Sequence, residues 1–133
     1  MNSRETEIKN RNTDGMSGFF KSAGFAIHGV KVFFKSERNG RIQALIAAFI
    51  FLGGLLFSIS KTDWLVIILF TSLVISLEML NSALEKLCDH ISPDWHPQIK
   101  VIKDMAAGAV LWSSIMSIIA GLCIFIPKII ELL

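Results

Sequence analysis

Hydrophobic positions in this chain gather into three long windows. Ile42 to Ile59 is apolar apart from Gln43, Gly53, Gly54 and Ser58. Trp64 to Leu77 is broken only by Thr71, Ser72 and Ser76, and the pattern continues amphipathically to Cys88. Met105 to Ile126 contains no charge. A helix crosses a bilayer with roughly 20 apolar residues at about 1.5 Å each, so the windows predict transmembrane helices over about 42–60, 64–88 and 104–126. Ahead of them, residues 19–35 are too short and too charged to span. At about 100° per residue Phe19, Phe20, Ala23, Ile27, Val30 and Phe34 fall in one arc, with Lys21, His28, Lys31 and Lys35 opposite and Phe25 breaking the pattern. This reads as a surface helix over 19–36 lying in the membrane interface. The alternative, a helix packed on a soluble core, finds no such core in the chain. Residues 1–17 are polar without an apolar centre, which excludes a signal peptide and predicts a mobile tail. Residues 18–133 form the one domain.

Composition agrees with that reading. Of 133 residues, 53% are hydrophobic and only 18% charged, too apolar for an ordinary soluble domain. Cys88 and Cys123 fall toward opposite faces of the membrane, so no disulfide is expected within the chain. Charge then supplies orientation. Arg4, Lys9, Arg11, Lys21, Lys31, Lys35, Arg38 and Arg41 precede the first span, whereas the turn SKTDW holds Lys61 alone. Basic residues favour the cytoplasmic side. The N-terminus and the second connection, with Lys86, Lys100 and Lys103 in or beside it, are therefore expected inside, and the C-terminus outside.

The unusual chemistry lies at the inner end of the second span, in SLEMLNSALEKLCDH (76–90). With Glu78 at zero on a helix, Asn81 falls at about −60°, Glu85 at about −20° and Asp89 at about +20°. Four polar groups share one narrow stripe between leucines and a methionine. If Trp64 marks the outer interface, Glu78 lies about 21 Å further along the axis, still below the inner surface, while Glu85 and Asp89 emerge at the headgroups. Asn81 and Glu78 could simply bond neighbouring helices. A ladder graded from hydrocarbon to water better suits a meeting of lipid headgroup and water-soluble reagent, since ionisable residues in a membrane usually mark function.

The following connection, DHISPDWHPQIKVIKDMAAGAVL, is interrupted by Pro93 and Pro97 and predicts a bent surface loop with Asp94, Trp95 and His96 at its crest. A lysine near a helix start opposes the dipole, so Lys103 is expected to answer another charge: a phosphate, Glu85 or Asp89. Ala106 to Ala109 would let another helix approach closely. There is no phosphate-binding glycine loop and no zinc spacing. Carboxylates with substrate phosphates are how Mg²⁺ is usually held, and a carboxylate beneath the surface can act as base toward a lipid hydroxyl. The residues permit phosphoryl transfer. A transporter or assembly subunit using Glu78 as a proton or ion site is the competing class, although the acids cluster at one face.

Glu78 to Asp89 (EMLNSALEKLCD), followed by HPxxKxxKDxAAGAVL from His96 to Leu111, resembles the prokaryotic diacylglycerol kinase and undecaprenol kinase family, and the likeness reaches back through ERNGRI (37–42) to KSAGF (21–25). The resemblance implies an all-α, homotrimeric enzyme of the bacterial inner membrane, with three transmembrane helices plus an N-terminal surface helix in each protomer. It implies transfer of the γ-phosphate of ATP to a lipid alcohol, undecaprenol or diacylglycerol, with Mg²⁺, in phospholipid or cell-envelope lipid metabolism and with no nucleic-acid partner. By position, Glu78 would be the catalytic base and Asn81 its support. Glu37 and Glu85 would bind metal. Lys21, Phe25, Asp94, Trp95, His96, Lys103 and Asp104 would bind nucleotide, with Asp89 supporting. Gly18 stands where some relatives have Arg and Phe25 where some have Tyr. Pro97 and the AAGAVL wording lean toward the undecaprenol branch.

Overall fold

A computed structural model describes the backbone of residues 3–131 and the side chains of residues 18–131. It contains four helices: α1 (Ser3–Ser36), α2 (Arg38–Leu56), α3 (Lys61–Ile91) and α4 (Pro97–Ile130). The chain divides into two compact units, α1 and the α2–α4 segment from Glu37 onward.

In the first unit, the stretch expected as a mobile tail falls within α1 from Ser3; its side chains lie outside the described residues. Along the rest of α1, Phe19, Phe20, Ile27 and Val30 are exposed and Phe34 is half-buried. Phe33, which lies outside the expected apolar arc, is the buried residue, its ring edge-on to Phe34.

In the second unit, α2, α3 and α4 are each long and apolar enough to cross a membrane. α3 packs mainly on α4 and more lightly on α2. Buried apolar residues are few (Ile59, Ile67, Val74 and Cys88), and no described side chain is wholly enclosed. In lipid the hydrophobic effect does not draw helices together, so close packing must do so. Gly53 and Gly54 provide it. A Cβ on Gly54 would stand 2.9 Å from the Trp64 ring, and one on Gly53 would meet Phe125 at 3.4 Å. Trp64 itself stacks on Phe51, with ring centroids 5.5 Å apart. By contrast, no described atom lies within 4 Å of the Cβ position of Gly108, whereas Ala106, a half turn away, is half-buried.

The helix ends have local causes. α2 closes in a Schellman turn: the Ile59 amide donates to the Gly54 carbonyl (3.2 Å) and the Ser58 amide to that of Leu55 (3.3 Å). Ser58 holds the left-handed position that glycine usually takes, at φ 47°. α3 starts with a capping box, in which the Asp63 amide donates to Ser60 Oγ (3.2 Å) and the Ser60 amide to Asp63 Oδ2 (3.1 Å). Pro97 begins α4 at its first turn, where its missing amide costs nothing. α4 therefore starts eight residues before the apolar window at Met105, and the connection to α3 is the short loop 92–96. Cys88 and Cys123 are both free.

Candidate functional site

The C-terminal half of α3 turns a polar stripe toward its neighbours. Glu78 is 3% exposed and Asn81 6%. Glu85 is half-buried and Asp89 exposed. Burial thus falls along one helix face from Glu78 to Asp89, and Ser82 and Cys88 extend the buried part of that face. Sequence reading passed over both, because a serine and a cysteine in a span carry no charge to announce them.

Asn81 is oriented by the residue one turn on: its Nδ2 donates to Glu85 Oε1 at 3.1 Å. That bond leaves Asn81 Oδ1 buried and without a partner. Among the described residues Glu78 also has no hydrogen-bond or ion-pair partner. Glu78, Asn81 and Glu85 line one end of a groove of about 720 Å³, together with Asn39 and Gln43 of α2 and Ala107 of α4. Beyond that end the walls are nearly all apolar, through Ile46, Ile50, Val74 and Leu111 to Leu122 and Phe125. An unpaired buried carboxylate is costly. Here it stands at the head of a long greasy channel.

A second cavity, of about 360 Å³, lies at the exposed end of the stripe and is lined by Asp89, the 92–96 loop and the first turns of α4. It gathers Asp89, Asp94, Trp95, His96, Lys103 and Asp104. Trp95 is exposed. His96 caps α4, its Nδ1 accepting from the Gln98 amide at 3.2 Å. Lys103 donates to Asp89 Oδ1 at 2.9 Å, so of the two carboxylates left open for it the structure selects Asp89 over Glu85. Lys100 pairs with Asp104 one turn along the same helix.

Glu37, at the start of the second unit, pairs with Lys86 of α3 at 2.6 Å. Spacing alone did not single it out, because a contact between separate helices leaves no period in the sequence. Lys21 and Phe25 are one turn apart on α1, and both are exposed. Among the described residues no three His, Cys, Asp or Glu side chains converge into a closed metal cage. Glu37 and Glu85 are hard oxygen donors suited to an ion that takes one or two protein carboxylates and completes its shell with water and phosphate.

The prokaryotic diacylglycerol kinase family matches this chain over residues 24–125. The undecaprenol kinase of Bacillus subtilis (strain 168) is 39% identical over 114 residues, covering 86% of this chain and 93% of that protein. A diacylglycerol kinase of Synechocystis is 34% identical over 110 residues, which are 82% of this chain but 63% of the longer relative. The diacylglycerol kinase of Escherichia coli (strain K12) is 27% identical over 108 residues, 81% of this chain and 88% of its own length. The chain belongs to the prokaryotic diacylglycerol kinase family and, by that membership, is a lipid kinase.

Proposed function

We propose that this lipid kinase transfers the γ-phosphate of ATP to the hydroxyl of a lipid alcohol at the inner face of the membrane, with Mg²⁺, and that the acceptor is undecaprenol. The observation that carries the reading is the unpaired carboxylate of Glu78 at the polar end of an otherwise apolar groove. A lipid alcohol has the same build, one hydroxyl on a long hydrocarbon. The undecaprenol acceptor is favoured by the higher identity and near-complete coverage of the B. subtilis relative. Basic residues ahead of the first span favour a cytoplasmic N-terminus, which sets the inner end of α3 beside cellular ATP.

In this reading Glu78 takes the proton of the attacking hydroxyl. Asn81 holds Glu85 through its Nδ2 while its own Oδ1 stays buried without a partner. Glu85 and Glu37 hold the ion, which when bound neutralises charge on the phosphates. Lys103 and Asp104, with the loop residues Asp94, Trp95 and His96, hold the nucleotide, and Lys21 and Phe25 contribute from α1. Asp89 supports Lys103 until phosphate competes for it. Phosphoryl transfer demands mostly positioning and charge neutralisation, and this side-chain set is of that kind. A homotrimer is proposed from the family and from the spans themselves: so little of α4 is covered within one chain that its faces must meet lipid or other copies.

The test is transfer of label from γ-³²P-ATP with undecaprenol, with diacylglycerol and with no lipid. Undecaprenol should give the highest kcat/KM, and chelation of Mg²⁺ should stop transfer. ATP hydrolysis without transfer to either lipid would refute the reading, and faster turnover of diacylglycerol would reassign the acceptor.

A further inference from the structure

Two buried side-chain oxygens among the described residues have no hydrogen-bond partner: Asn81 Oδ1 and Gln43 Oε1. Both belong to residues that line the same groove, from different helices. Gln43 has no task in the reaction so far assigned, and by sequence it is only a break in an apolar run. A polar residue in the wall of a lipid-facing groove has a desolvation cost, and leaving its carbonyl unpaired adds to that cost.

The level of Gln43 follows from two fixed points. α2 and α3 run antiparallel, joined at one end by the Phe51–Trp64 stack and at the other by the Glu37–Lys86 ion pair. Counting six residues from the nearer anchor, the Glu37–Lys86 pair, along each helix sets Gln43 at the level of Leu80, within a turn of Glu78. The groove therefore has the base on one wall and Gln43 on another, where its polar end meets its apolar length. A buried acceptor without a donor calls for a ligand that brings one. The donor a lipid alcohol brings is its O–H.

We propose that Gln43 is the binding residue for the hydroxyl end of the lipid alcohol, its Oε1 accepting the O–H before reaction. The inference rests on the lipid-kinase reading and deepens it. In the bound substrate the hydroxyl donates to Gln43. Rotation about the C–O bond then turns the same hydrogen to Glu78. The O–H bond breaks with its proton going to the Glu78 carboxylate, and the oxygen pair forms the bond to the γ-phosphorus. The bond from that phosphorus to the bridging oxygen breaks, and its pair leaves on ADP. Because the hydrogen leaves Gln43 for Glu78, the Gln43 bond serves binding and not the transfer step. It selects alcohols over hydrocarbons of the same length.

The experiment compares the unsubstituted enzyme with Gln43→Met, Gln43→Leu and Gln43→Glu in detergent micelles. The substrate is a polyprenol at varied mole fraction, and the competing inhibitor is its deoxy analogue. Met and Leu should raise the lipid KM about tenfold, the worth of one hydrogen bond, without lowering kcat or changing the KM for Mg-ATP. The inhibition constant of the deoxy analogue should stay within twofold, since it has no hydroxyl to lose. Glu keeps an acceptor oxygen and should bring the lipid KM back to within threefold. An unchanged lipid KM in both Met and Leu variants would overturn the proposal. So would a parallel rise for the alcohol and its deoxy analogue, which marks a distorted groove. If the unsubstituted enzyme transfers phosphate to no lipid, the functional reading itself fails, a result distinct from either.

Discussion

The two ends of the α3 stripe obey opposite rules. At the deep end Glu78 and Asn81 are buried; Asn81 Oδ1 lacks a donor, and Glu78 has no hydrogen-bond or ion-pair partner among the described residues. At the shallow end Asp89 is exposed and bonded to Lys103, and Lys100 and Asp104 satisfy one another. Stability alone would favour the reverse, since partners matter most where water is absent and exposed ion pairs contribute little. Polar groups left without donors in a greasy wall are better explained by a ligand that completes them. Exposed pairs that are easily parted are suited to exchanging a carboxylate for a phosphate. Under the proposed function, the deep end serves the lipid hydroxyl and the shallow end the nucleotide.

Substituting Glu78 is the strongest way to break that contrast. Glu78→Gln should lower transfer about a thousandfold, within the range of a lost general base. Binding of Mg-ATP, followed by titration calorimetry, should persist, and the melting temperature should not fall, because the buried charge is gone. Near-normal turnover would remove Glu78 as the base. Glu85 sits at the junction of the two ends. Glu85→Ala takes away the acceptor that orients Asn81 together with a proposed metal ligand, and should raise the KM for Mg-ATP by about tenfold to a hundredfold, the worth of one or two charge-assisted bonds. A shift confined to the lipid KM would instead assign Glu85 to the deep end. The smallest effect belongs to Lys100, whose pair with Asp104 is open to solvent. Lys100→Ala should leave thermal unfolding unchanged and both KM values within about twofold, as for an exposed pair. A large loss would show that the shallow end is less tolerant than its exposure implies.

What could be read from the sequence followed local period. Glu78, Asn81, Glu85 and Asp89 share a face because a helix repeats every 3.6 residues, and three charge-poor windows announce three spans. Contacts between helices carry no such period. Lys103 had two carboxylates as candidate partners beside a phosphate, and only the packing of α3 on α4 selects Asp89 over Glu85, while nothing in the spacing pairs Glu37 with Lys86. The prolines were legible as breaks, but Pro97 also begins a helix, so α4 starts well before its apolar stretch. Gln43 was legible only as an interruption. Its meaning depends on an unpaired oxygen and a shared groove, which are properties of three helices together.

The most direct measurement of the central claim is photolabelling with a polyprenol that carries a diazirine on the carbon next to its hydroxyl, followed by peptide mapping. The account predicts adducts on groove residues at the level of Glu78 and just beyond it, among them Gln43, Val74 and Leu111, competed by unlabelled polyprenol and not by ATP. Adducts on the 92–96 loop, or beside Trp64 at the other end of α3, would contradict it.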